Sequence, residues 1–203
     1  MDVYADVACP FAHVGLRRFV AARDARGLRE PLLRVRAWPL ELVNGAPHSG
    51  AAFAPKVAAL REHVAPDAFR GFDPESFPTS SLAALAAEAA AHRAGPAVGE
   101  AFSLAVRDAL YEHGVDIADP ARLRELAEAC AAPMATAEDA DEVRRDLAEG
   151  ARRGVVGSPH FFTSDGSSFF CPSLDIAHDG GELDVRFDVD GFTSFLDVAL
   201  AHD

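Results

Sequence analysis

Lysine is almost missing from this sequence. Lys56 stands alone among 19 basic residues, which face 32 acidic ones for a formal net charge of −13. So negative a chain argues against nucleic acid or an anionic membrane surface as a partner. The dearth of lysine, set beside abundant alanine, reads as coding bias rather than chemistry. Cysteine is scarce too. Cys9, Cys130 and Cys171 are too few and too scattered for a disulfide framework. Each is expected to be a free thiol in a reducing compartment. Long apolar runs are absent, and none approaches the roughly 18 residues of a membrane span. The start, MDVYADVACPF, has neither a basic end nor a long apolar stretch. It does not read as a signal peptide, and a cytoplasmic location is expected.

Metal and nucleotide motifs are missing as well. There is no Gly-x-Gly-x-x-Gly and no P-loop. No Cys-x-x-Cys or paired-histidine spacing supports zinc. Asp188-Val189-Asp190-Gly191 hints at a calcium loop, but Arg186 stands where an oxygen ligand is needed. No metal and no permanently bound cofactor is expected. What the chain does have is 49% hydrophobic and 25% charged residues over 203 positions. That suffices for one ordinary domain, or for one core carrying a large insertion.

Residues 2–7 alternate apolar and polar and predict a strand. A helix follows from Pro10 to Arg26, stopped by Gly27, and 32–38 predict a second strand. From about residue 51 to 153 the pattern is helical, with helices expected over 54–64, 80–93 and 97–113. Asp119-Pro120 opens another, and Thr136 with Asp139 is a capping-box start for the last. Cys130 sits on an apolar helix stripe and reads as core. After Gly154 the period changes. Residues 160–164 and 167–171 predict a hairpin turning at Asp165-Gly166, 183–189 alternate once more, and Asp190 is placed as the cap of a final helix, 192–201. Strands on both sides of a helical block predict one sheet interrupted by an insertion.

The sharpest local feature is Cys9-Pro10-Phe11-Ala12-His13 at a strand-to-helix junction. With Cys9 at the N-cap and Pro10 at the first helical position, free first-turn amides and the helix dipole favour a thiolate. His13 lies four residues on, on the same helical face, and in protonated form would favour it further. The second feature is Gly157-Ser158-Pro159-His160, a tight turn before the hairpin. A two-residue turn at Asp165-Gly166 would place His160 opposite Cys171 and bring Cys171 toward the site.

Cys-Pro at the first helix, a long helical block and Gly-Ser-Pro before a hairpin together resemble the DsbA family. Closer still is its cytoplasmic branch of FrnE-type oxidoreductases, 2-hydroxychromene-2-carboxylate isomerases and kappa-class glutathione transferases. Phe77-Pro78-Thr79-Ser80 and His113-Gly114-Val115-Asp116-Ile117 are similar to that branch too. The resemblance implies an α/β, thioredoxin-like fold with an inserted all-helical domain: residues 1–45 and 154–203 around an insert of 46–153. It implies that Cys9 is the nucleophile and that Pro159 is a cis-proline packed beside it. The chain departs from the family at Ala12, where the second cysteine of Cys-x-x-Cys would stand.

Three functions are therefore open. One is a thiol-disulfide oxidoreductase in which Cys9 attacks and Cys171, or a small thiol of the glutathione or mycothiol type, resolves. The second is a transferase or isomerase in which the helix start activates a bound small thiol. The third is a binding protein without catalysis. Pro10, Phe11, Ala12, His13, Ser158, Pro159 and His160 are the expected substrate contacts. The partner is expected to be a small thiol or disulfide, or a protein disulfide, and a homodimer is allowed.

Overall fold

The computed structural model describes residues 1–179 and 182–201. Its sheet is built around β1 (Asp2–Ala5), whose last three residues are fully buried. The chain leaves β1 through Cys9 into α1 (Pro10–Ala25) and returns as β2 (Arg34–Ala37), parallel to β1. Six helices follow before the sheet resumes: α2 (Leu40–Val43), α3 (Gly50–His63), α4 (Leu82–Ala94), α5 (Pro96–His113), α6 (Pro120–Ala129) and α7 (Ala137–Arg153). Then β3 (His160–Phe162) pairs antiparallel with β1, and β4 (Ser168–Phe170) pairs with β3. The order is β2-β1-β3-β4. After these come β5 (Leu174–Asp179), β6 (Glu182–Phe187) and α8 (Val189–Ala199). This is a thioredoxin-type fold with a helical insertion.

Helix ends follow from local chemistry. Asp119 takes the amide of Ala121 at the start of α6. Thr136 and Asp139 close a reciprocal capping box at the start of α7. Gly114 and Gly154 end α5 and α7 at φ of 64° and 78°, the left-handed conformation that closes a helix most cheaply with glycine.

Strand alternation then sorts the core. Val3, Ala5 and Phe161 face α1 and α8, meeting Leu16, Phe19, Phe195 and Leu196. Tyr4 faces the other way, onto Trp38 and Val155. The insert core, around Leu60, Phe69, Phe102, Val106 and Tyr111, also takes in Val7, Val14 and Cys171 from the flanking segments. Phe11 packs against both the sheet core and the insert core.

Three expectations are corrected. The hairpin loop has three residues, not two, because Thr163 N–H bonds Ser167 O at 3.0 Å and Gly166 adopts φ of 88°. The Asp165 carboxylate draws the ends together by accepting from Thr163 Oγ1, Ser167 N and Ser167 Oγ. His160 therefore pairs with Phe170, not Cys171. Second, the strand expected over 183–189 is β6. It belongs not to the main sheet but to a separate two-stranded ribbon with β5, whose Leu174 and Val185 join Val57 and Leu60 of α3 in the insert core. Third, Asp188 rather than Asp190 caps α8, by accepting from Gly191 N at 2.8 Å.

Candidate active site

Cys9 sits where β1 ends and α1 begins. It is the N-cap, with extended φ/ψ of −85° and 115°, and Pro10 is the first helical residue. The first helical bond runs from His13 N to Cys9 O at 3.1 Å. The loop before it is held from below. The Asp6 carboxylate accepts Ala8 N at 2.8 Å and Leu40 N at 2.6 Å, and Tyr111 Oη donates to Ala8 O at 2.5 Å. Across from Cys9 lies the Ser158–Pro159 bond, which is cis. Pro159 rests on α1 at Gly15, where an added Cβ would lie 3.4 Å from Pro159 Cγ.

The sulfur is almost closed off, with Cys9 2% exposed. Its Sγ donates to Ser158 O at 3.1 Å and accepts no capping hydrogen bond. The helix start alone predicts a depressed thiol pKa, and the direction in the folded chain is the opposite. Burial pushes the Cys9 thiol up, and this outweighs the Ser158 hydroxyl and the Ala12 and Phe11 amides that favour the anion. A helix start stabilises an anion only if the anion need not surrender its hydration. Alkylation of Cys9 in the resting protein should therefore show an inflection above the roughly 8.5 of a free thiol. An inflection below about 7, within the range of activated cysteines, would defeat this reading.

Cys171 does reach the site, by another route than expected. Its amide bonds Pro159 O at 3.0 Å, so it stands opposite Pro159 rather than His160. Its Sγ lies 3.8 Å from Ser158 O, the same oxygen that Cys9 uses. Burial also raises its pKa, and a negative Cys9 raises it further.

Two other expected residues are corrected. His13 does not charge Cys9. Its ring is buried against Phe69 and Tyr111, its Nε2 meets Glu112 Oε1 at 2.8 Å, and burial lowers its pKa toward the neutral form. It fastens α1 to α5. His160 faces the opposite side of the sheet from α1. Its ring packs on Phe162, and its Nδ1 accepts Val156 N at 3.3 Å. Pro10 and Ala12 are buried beside Cys9, and Phe11 is half-buried.

The sequence reading missed the acid beneath the thiol. Asp6 is fully buried, and its carboxylate lies 3.6 Å from His48 Nε2, which in turn meets Ser81 Oγ at 3.1 Å. Burial raises the Asp6 pKa, against the opposing pull of His48 and the two amides. The only sequence signal was an acid inside an otherwise apolar strand end. Asp6→Asn should act in two directions. It should cost on the order of 1–3 kcal/mol, because Leu40 N–H or Ala8 N–H then meets an amide group of the wrong polarity. It should also move the Cys9 inflection to lower pH, since a negative Asp6 opposes the thiolate. Thermal unfolding and an alkylation titration read the two effects, and an unmoved inflection would show Asp6 to be purely structural.

On the His160 side of the sheet two apolar side chains are exposed, Val156 at 71% and Phe170 at 47%. The Phe170 ring lies over Gly157, where an added Cβ would sit 2.6 Å from it. A groove of about 470 Å³ between β2, α4 and α7 holds no cysteine, and four of its charged side chains pair with one another, Arg93 with Asp139 and Arg36 with Asp146. Among the described residues no group of three His, Cys, Asp or Glu side chains converges as a metal site. No described helix is long and apolar enough to cross a membrane.

The DSBA-like thioredoxin domain family matches residues 1–178. The chain belongs to this family. Its fold is shared with the cytosolic disulfide reductase DsbM of Pseudomonas aeruginosa in complex with glutathione, at 20% identity and a TM-score of 0.61, over 84% of this chain and 90% of that one. It is shared equally with a 2-hydroxychromene-2-carboxylate isomerase, at 15% identity and a TM-score of 0.59, over 83% and 87%. A disulfide isomerase candidate from Nitrosomonas europaea matches over 98% and 97%, at 15% identity and a TM-score of 0.63. No curated protein sequence matches the chain. At these identities the likenesses concern the fold, and residue roles rest on the geometry above.

Proposed function

We propose that this DsbA-family protein is a thiol-disulfide oxidoreductase that works through Cys9. The observation that carries this is the Cys9 Sγ at the N-cap of α1, hydrogen-bonded at 3.1 Å to the carbonyl of the residue before cis-Pro159. The resting thiol is protonated and covered, so reaction begins when a substrate displaces that cover. Once water or substrate reaches the sulfur, the desolvation that raised its pKa is relieved, and the first-turn amides then favour the anion. The thiolate attacks one sulfur of a disulfide. A Cys9–substrate disulfide forms, and the other sulfur leaves as a thiolate that takes up the proton Cys9 gave up. A second thiol then attacks Cys9 Sγ, the substrate half leaves as a thiolate that takes the attacker's proton, and a further thiol reduces the new Cys9 disulfide, leaving with the second thiol as its disulfide.

The external thiol in this scheme is a small one of the glutathione or mycothiol type, as a reducing cytoplasm supplies. Incubation with a small disulfide, acid quench within seconds and peptide mapping should find a mixed disulfide on Cys9. A second reading is favoured by one observation: the Cys9 Sγ donates a hydrogen bond rather than accepting one. A protein of the isomerase or transferase type would use the helix start to hold a bound thiol, with Cys9 standing beside it. Tight binding of a reduced small thiol with no covalent adduct on Cys9 would select that reading.

A further inference from the structure

We propose that Cys171 is the resolving thiol of Cys9, so that a disulfide across the cis-proline replaces the one that Cys-x-x-Cys would form. The inference rests on Cys9 being the nucleophile. The usual partner position is Ala12, which is fully buried and offers no second sulfur. Cys171 is 3% exposed, and among the described residues its thiol has no other acceptor than Ser158 O. Both sulfurs reach that one oxygen, at 3.1 and 3.8 Å. Their separation therefore cannot exceed those two distances laid end to end. Bond formation asks them to close to about 2 Å, a movement within the reach of side-chain rotation when the backbones are already held together. They are: Pro159 and Cys171 share a backbone hydrogen bond of 3.0 Å, and Pro159 packs on the helix that Cys9 begins.

The backbone at Cys171 supports the assignment. β4 ends at Phe170, and Cys171 adopts φ of 45°, a left-handed conformation that few residues other than glycine take. Its carbonyl accepts Leu174 N at 2.9 Å, closing a turn. The chain thus leaves the ladder one residue after Phe170 and directs Cys171 to the Ser158 carbonyl. The remaining cysteine, Cys130, ends α6 in the insert.

The chemistry balances. After Cys9 has formed a mixed disulfide with a substrate R, the Cys171 thiolate attacks Cys9 Sγ. The Cys9–Cys171 bond forms, the Cys9–R bond breaks, and R leaves as a thiolate that takes the Cys171 proton. Overall the substrate disulfide gains two electrons and two protons from the two protein thiols. Two equivalents of a small thiol restore the dithiol. Oxidation also removes both S–H donors from Ser158 O, which leaves that carbonyl open to the N–H of an extended substrate.

The test follows one reaction by intact mass and peptide mapping. The protein is mixed with oxidised glutathione and quenched with acid at intervals, in the native chain and in Cys171→Ser. In the native chain the glutathione adduct on Cys9 should decay into a form lighter by two hydrogens, and the peptides holding Cys9 and Cys171 should be joined. In Cys171→Ser the adduct should last at least about tenfold longer, because only an external thiol can remove it. Equal adduct lifetimes in the two chains, with no joined peptide in the native one, would overturn the role of Cys171 while leaving Cys9 as nucleophile. Absence of the adduct from Cys171→Ser as well would overturn both. The joined peptide is read in the unsubstituted protein, so the outcome does not depend on how the variant folds.

Discussion

Cys9→Ser is expected to lower disulfide turnover to the uncatalysed background. A serine hydroxyl is not ionised near neutral pH and cannot form the mixed disulfide on which turnover depends. The fold should survive, because the serine can still donate to Ser158 O and the substitution removes little volume. Cys171 also donates there, so the carbonyl keeps a partner. A thermal midpoint close to that of the parent, with turnover gone, is the expected pair of results. Turnover of a small disulfide at the parent rate would remove Cys9 from the chemistry and leave the isomerase or binding readings standing.

The largest stability effect is expected between α4 and α5. Arg107 of α5 and Glu88 of α4 form an ion pair at 2.5 Å, and both are almost fully buried. Arg107 Nη1 also donates to Ser103 O at 2.8 Å, while its Nε and Nη2 have no partner among the described residues. Two charges have been taken out of water here with incomplete compensation. Removing one of them, as in Arg107→Met or Glu88→Leu, strands the other and should cost about 3–5 kcal/mol. For a chain of this size that lowers the unfolding midpoint by roughly 6–20 °C. Replacing both together should recover most of the loss, since an apolar pair of similar volume often matches a buried ion pair. A double variant as unstable as the sum of the single ones would show that the pair does more than neutralise itself.

The parts of the site that were legible in the sequence carry their own local signal. Proline at the first helical position identifies Cys9 as an N-cap, and Gly-Ser-Pro marks the turn before β3. A two-residue turn at Asp165-Gly166 predicts Cys171 opposite His160, one residue off the observed register. The Asp165 turn takes three residues into the loop, and a one-residue shift sends a strand side chain to the other face. The cysteine arrives nonetheless, because it leaves the strand before that rule applies. What could not be read was tertiary. Helical spacing placed His13 near Cys9, but its partner is Glu112, 99 residues away in the chain. The burial that raises the Cys9 pKa comes from the packing of several elements, including Phe11 at the boundary of two cores, and no segment encodes it alone. The strand β5 carries little signal, because Leu174 and Ile176 are the only large apolar residues of its alternation, whereas its partner β6 has Leu183, Val185 and Phe187.

Tyr111 and Glu112 are consecutive on α5, and they grip the two sides of the same junction. Tyr111 holds the carbonyl just ahead of Cys9, and Glu112 holds the ring four residues behind it. A lever that tilted α5 outward would let go of both at once. Uncovering the sulfur and slackening its backbone would then be a single mechanical event.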